Sequence, residues 1–282
     1  MKKMTGLIAF LLVLLLMPIG HIVMSFFTYN FSLTMQVISA GILGFIGFVL
    51  IILFSKTQNE IIATLIGVLS GVIIWTGWVE FSFVYFAERL SIQPLKDGDE
   101  IITRPEYLLM ISSIGLLFTI LTAMIVNYST RCNMFMWIQD KLKLNLPKIS
   151  VKKSNYTALT ALETIIIIWF FYIILLVLYD DELFGDRHFL TYFTFFGSLL
   201  WSFFLFKNLM RYNHLGKAIR YAIPTVVIFW NAVEILGRWD FFREFWVEPN
   251  AFYIESILII IAFIILFTKL YLDKNKKEKI ST

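Results

Sequence analysis

Eight apolar stretches follow one another along the chain, at 6–28, 33–55, 61–86, 107–128, 157–179, 189–206, 221–237 and 252–272, with short polar segments between them. A hydrocarbon core about 30 Å thick is crossed by about 20 helical residues, so each stretch predicts one spanning helix. The stretches are rich in Leu, Ile and Phe and lack two-residue alternation, which argues against the ~10-residue strands of a transmembrane barrel. The third is the longest and is expected to tilt or to extend past the hydrocarbon. The sixth and seventh are the shortest. The expected fold is all-α: a polytopic integral membrane bundle of eight transmembrane helices.

Composition points the same way. Of the 282 residues, 59% are hydrophobic and 16% charged, and the mean hydropathy is +0.79. Soluble domains run at about 45–50% apolar and about 25% charged, and a soluble core of this size cannot hide the excess. One Cys and 14 Gly without a repeat exclude disulfide scaffolds and collagen.

Basic residues set the predicted orientation, because Lys and Arg in short loops stay cytoplasmic. With both termini inside, 18 of the 24 fall on the inner side, including Lys141, Lys143, Lys207, Arg211, Lys217 and Arg220. The predicted location is the cytoplasmic (inner) cell membrane. Met1-Lys2-Lys3 and Leu7–Leu16 resemble the start of a signal peptide. No small-residue cleavage site follows, and apolar residues continue to Phe27, so an uncleaved first helix is expected.

The longest loop divides the chain into a first four-helix half (1–128), a basic cytoplasmic linker (129–156), a second four-helix half (157–272) and a cytoplasmic tail (273–282). In the linker, Met134-Phe135-Met136-Trp137-Ile138 can lie at the lipid interface, and Cys132 is expected to be an inert thiol. The halves echo each other. Ile74-Trp75-Thr76-Gly77-Trp78-Val79-Glu80 in the third stretch answers Phe229-Trp230-Asn231-Ala232-Val233-Glu234 in the seventh. Pro105 and Pro249 each precede a Ser by seven residues at the start of the fourth and eighth. A duplication of four spans would make the halves parallel repeats about an axis along the membrane normal. Glu80 and Glu234 would then share one depth.

Ionisable residues inside spans are costly and mark function by default. Glu80, Glu234 and Glu255 reach the predicted outer level, and His21 sits in the outer half of the first helix. Together with Trp75, Trp230 and Asn231 they form the candidate site, in which carboxylates bind a cation or take up protons. A plainer account has these acids reaching to the interface, with Glu234 pairing with Arg238 four residues on. Glu163 stands near the inner end of the fifth helix. Gly67 and Gly71 have the small-xxx-small spacing of a close helix contact. Acidic turns at Asp97-Gly98-Asp99-Glu100 and Asp180-Asp181-Glu182 do not match a calcium loop.

No phosphate-binding loop, dinucleotide fingerprint, zinc-protease motif or nucleophile elbow is present, and no pattern names a cofactor or metal. The leading expectation is transport of a small solute or cation through an outward-facing carboxylate site. The alternatives are a membrane-embedded subunit or anchor of a larger complex, and a cofactor-binding redox or lipid enzyme using His21, with His188 as a second haem ligand. Only Pro18 and Pro224 interrupt spans, and this scarcity of broken helices counts against a carrier. The expected partners are the lipid bilayer, a small solute or cation, or membrane-complex subunits. Nucleic acid is excluded because the basic residues flank membrane helices.

Overall fold

The computed structural model describes residues 2–97, 100–126, 133–144 and 155–281. Cys132, half of the 129–156 linker and the Gly98-Asp99 centre of the first acidic turn lie outside the described residues.

Long apolar runs fold as α1 (Lys2–Asn30), α2 (Leu33–Leu53) and α3 (Glu60–Ile74). A π-helical turn, Trp75–Glu80, then joins α3 without a break to α4 (Phe81–Arg89). A short antiparallel hairpin, β1 (Leu95–Asp97) and β2 (Glu100–Thr103), leads to α5 (Pro105–Ile111) and α6 (Ile114–Val126). The second half holds α7 (Asn133–Lys141), α8 (Tyr156–Tyr179), α9 (Phe189–Leu209), α10 (Leu215–Arg238) and α11 (Tyr253–Ser281). Polar side chains start several of them. Asn59 accepts from the Ile61 and Ile62 amides, Asn155 from Ala158, and His188 Nδ1 from Leu190, each satisfying donors left over at a helix start.

Among the described residues, seven helical segments are long and apolar enough to cross a membrane: Met4–Asn30, Leu33–Leu53, Glu60–Arg89, Tyr156–Tyr179, Phe189–Leu209, Leu215–Arg238 and Tyr253–Leu272. The pair α5 and α6, bent by 47°, makes an eighth if taken as one span. The chain is an all-α, multi-pass membrane bundle. At the bend, Ser112 and Ser113 donate back to the carbonyls of Leu109 and Met110, as serines that loosen a helix do. Ser113 also receives the Trp169 indole N–H at 3.1 Å.

Two boundaries differ from expectation. The seventh span starts at Leu215 rather than 221, which draws Lys217 and Arg220 into the helix. The tail expected after 272 continues α11 to Ser281.

Four helices form the centre. Between 39 and 78% of the most apolar stretch is buried in α1, α3–α4, α8 and α10, against 17–22% in α2, α9 and α11. The peripheral α9 turns Phe189, Phe193, Phe196, Leu200, Phe203 and Phe204 outward, the apolar face that lipid contact requires. Neighbour relations recur between the halves. α3 packs on α8 as α10 packs on α1, and α2 lies on α3 as α9 lies on α10. The α5–α6 pair leans on α8 as α11 leans on α1. The α3–α8 contact is backbone-close. A Cβ at Gly67 would lie 2.7 Å from Thr157 O, and one at Gly71 2.8 Å from Ala161 O, so side chains there would force the helices apart.

Candidate functional site

At one end of the bundle, between the four central helices, lies a cavity of about 50 Å³, room for a few water molecules. Each helix gives it four residues. α3 and the π turn give Val72, Trp75, Thr76 and Glu80, and α10 gives Val227, Trp230, Asn231 and Glu234. From α1 come Leu16, Met17, Gly20 and His21, and from α8 Ile168, Phe171, Tyr172 and Leu175. The α3 and α10 sets match residue for residue at a sequence offset of 155, which falls to 154 at the glutamates.

That single-residue difference explains the π turn. Trp75 precedes Glu80 by five residues, whereas Trp230 precedes Glu234 by four. An α-helix puts i and i+4 on one face, and a π turn, with its i→i+5 bonding, absorbs the surplus residue. Trp75 and Glu80 therefore reach the cavity together, as Trp230 and Glu234 do. The displaced ring of Trp78 points away, with its indole N–H on Gly41 O at 3.2 Å and its face against Gly44 of α2. The same crowding leaves no room for a Cβ at Gly77, which would stand 2.6 Å from Gly44 N and 2.7 Å from Ala40 O.

The polar geometry centres on His21. Its Nδ1 faces Glu80 Oε1 at 3.9 Å and its Nε2 faces Glu234 Oε1 at 3.4 Å. Trp230 donates its indole N–H to Glu234 Oε1 at 2.6 Å, and Trp75 lines the cavity beside Glu80. The Trp75 ring stands edge-on to Tyr172, with centroids 6.2 Å apart, and Tyr172 in turn meets the Tyr107 ring edge-on at 6.1 Å. Thr76, 2% exposed, lines the cavity with a hydroxyl that has no hydrogen-bond partner. Asn231, 3% exposed, occupies the matching place on α10.

A second cavity of about 100 Å³ adjoins the first through His21, Glu80 and Tyr172. Its other walls include Thr28, Tyr29, Arg104, Glu106, Tyr107 and Val247. The segment between α10 and α11 covers this end. Trp246, 4% exposed, packs on Trp230 with centroids 4.9 Å apart. In the same segment Glu244 rests against Gly237, and its carboxyl is pushed up to about 7, by burial first and then by the negative charge of Glu234.

Six of the seven residues singled out from sequence meet here: His21, Trp75, Glu80, Trp230, Asn231 and Glu234. Glu255 does not join them. It is exposed in the first turn of α11 and lines neither cavity. His188 caps α9 and lines neither cavity, so the structure does not bring it to His21 as a second ligand. Arg238 binds Asp186 at 2.7 Å, tying the 180–188 loop to the end of α10. Tyr172, Tyr107, Arg104 and Glu244 are additions from the structure. No sequence signal singled out Tyr172, whose ring centroid lies 6.4 Å from that of His21. Among the described residues, no three His, Cys, Asp or Glu side chains are placed to hold a metal ion. No protein-family model, curated protein or solved structure matches the chain.

Proposed function

We propose that this multi-pass membrane protein moves a small cation across the bilayer, and that the cavity between Glu80 and Glu234 is the binding point on the path. One observation carries the reading: two carboxylates from different spans converge on one small cavity with a single histidine between them. Acids in spans are costly, and these are arranged with more acceptors than donors around open space, as a cation site requires.

Further features support it. Helices interrupted within the membrane are the mark of carriers, and the α5–α6 bend beside α8 is such an interruption, while the unbroken α3–α4 span carries a π turn, a feature frequent at functional sites, that ends at Glu80. The bend lacks the paired Gly and Pro by which such interruptions are read from sequence. The matched lining sets and recurring helix contacts fit parallel four-helix repeats, with the site on the axis between them. The bias of basic residues puts the cavity end outside and both termini in the cytoplasm, and the cytoplasmic membrane is the proposed location.

The test is cation uptake into proteoliposomes. The wild type is expected to carry ammonium or another small monovalent cation, and Glu80→Gln with Glu234→Gln to abolish the flux. Unchanged flux in the folded double variant would sink the reading.

A further inference from the structure

The position of His21 says how the site is filled. Both ring nitrogens face carboxylate oxygens, at 3.4 Å and 3.9 Å. With both neighbours as carboxylates, the imidazolium, which carries a proton on each nitrogen, sets one positive charge between them. The side chain is then the resident cation of the site, standing where an incoming cation finds its charge partners. We infer that a small ammonium-type cation binds between Glu80 and Glu234 by displacing the proton of His21, so that the protein exchanges one proton for one cation. This deepens the cation-transport reading and rests on it.

Several observations select the ligand class. An ammonium ion brings N–H donors, and the cavity offers acceptors to meet them: the two carboxylates, the Asn231 side chain and the unpartnered Thr76 hydroxyl. Trp75, Trp230 and Tyr172 supply aromatic walls, which attract ammonium groups. A volume of about 50 Å³ suits ammonium or methylammonium better than bulky amines.

Charge balance makes the exchange. Two carboxylates and an imidazolium carry one net negative charge. A second cation beside the imidazolium meets Coulomb repulsion that the low dielectric of the site strengthens. Losing the Nδ1 or Nε2 proton removes that repulsion and leaves the net charge as before. The proton has a way out, because His21 lines the second cavity as well as the first. The other charged and titratable groups facing His21 are Tyr172 of α8, Tyr107 of α5, Arg104 and Glu106 at its start, Tyr29 of α1 itself and Glu244 of the covering segment. Among these, Glu106 and Glu244 are further carboxyl groups, so the assignment needs a variant at His21 itself.

The experiment titrates ammonium chloride, then methylammonium chloride, into the purified protein in weakly buffered detergent, following heat and released protons together. Wild type is expected to release about one proton per cation bound, and its affinity to rise about tenfold per pH unit while His21 holds the proton in the free site. His21→Gln is expected to bind with little release and a flat pH profile. Because that variant can fail to fold, the wild type is also read by 15N resonances of its three histidines. One pair is expected to move from the imidazolium to the neutral position on adding ammonium. Binding without proton release, release that persists in His21→Gln, or unmoved histidine resonances would each overturn the exchange while leaving the cation site standing. Sodium binding in place of ammonium would overturn the ligand class. No binding of ammonium, methylammonium or sodium would overturn the exchange together with the cation reading.

Discussion

The same two helices, α3 and α10, carry ionised residues at both ends, and the two ends are built on opposite plans. At one end Arg220 Nη2 meets Glu60 Oε1 at 2.6 Å. Its Nη1 donates to Thr64 at 2.9 Å, and its guanidinium lies 4.9 Å from the centre of the Tyr156 ring. Cation and anion are matched, short and tightly packed, with Glu60 against Gly216. At the other end two acids share one histidine at longer range, around open volume. Charge buried in a membrane is tolerable when paired, so a matched pair is architecture. A cluster with surplus acceptors and space beside it is a place left for a ligand.

The contrast is open to attack from either side. The largest effect is expected at the paired end. Arg220→Met strands a half-buried glutamate and should cost on the order of 3 kcal/mol in detergent unfolding, with Glu60→Gln on the same chain restoring most of the loss. A cost near zero would mean that the pair is not architecture. At the cavity end the sharpest test is the π turn. Deleting Trp78 removes the surplus residue and brings Trp75 and Glu80 to the four-residue spacing that Trp230 and Glu234 already have. Ammonium affinity should stay within about fivefold of wild type, about 1 kcal/mol. Stability should drop by about 1–3 kcal/mol as the ring leaves Gly44. Deleting Val233 from α10, which has no surplus residue, should abolish binding. Equal tolerance of the two deletions would refute the register.

The smallest effect is expected at Glu244. Its folded-state carboxyl titrates at about 7 against 4.5 for the free group. The folded protein thus holds that proton more tightly than the unfolded chain. Ionisation costs stability progressively as pH rises through this window, and the whole cost is present above it. Glu244→Gln should match wild type below about pH 4.5 and be more stable above about pH 7, by on the order of 1 kcal/mol after solvent screening. Unfolding midpoints measured at both pH values check the sign.

What is legible in the sequence follows from how each feature is encoded. Spans are written in hydropathy, and all eight predicted stretches coincide with helices or, at 107–128, with a bent pair. His21, Glu80 and Glu234 are legible because ionisable groups in apolar runs are costly enough to be conspicuous. Glu255 obeys the same rule by sequence, but which face of α11 it takes depends on packing. Arg220 reads as a loop residue because a charge near a span end resembles a flank, and only its contact with Glu60 and Thr64 explains its place inside α10. Tyr172 is hidden in an aromatic-rich run. The π turn is invisible, because one residue of surplus looks like noise in an echo until the two helices are seen facing one cavity.

The most direct measurement joins the two halves of the comparison in one protein: the unfolding midpoint and the ammonium affinity of Glu80→Gln with Glu234→Gln. The account predicts that binding is lost while the midpoint is unchanged or higher, since the variant no longer buries unmatched acids. A variant that unfolds as readily as Arg220→Met, or one that binds ammonium as wild type does, would contradict it.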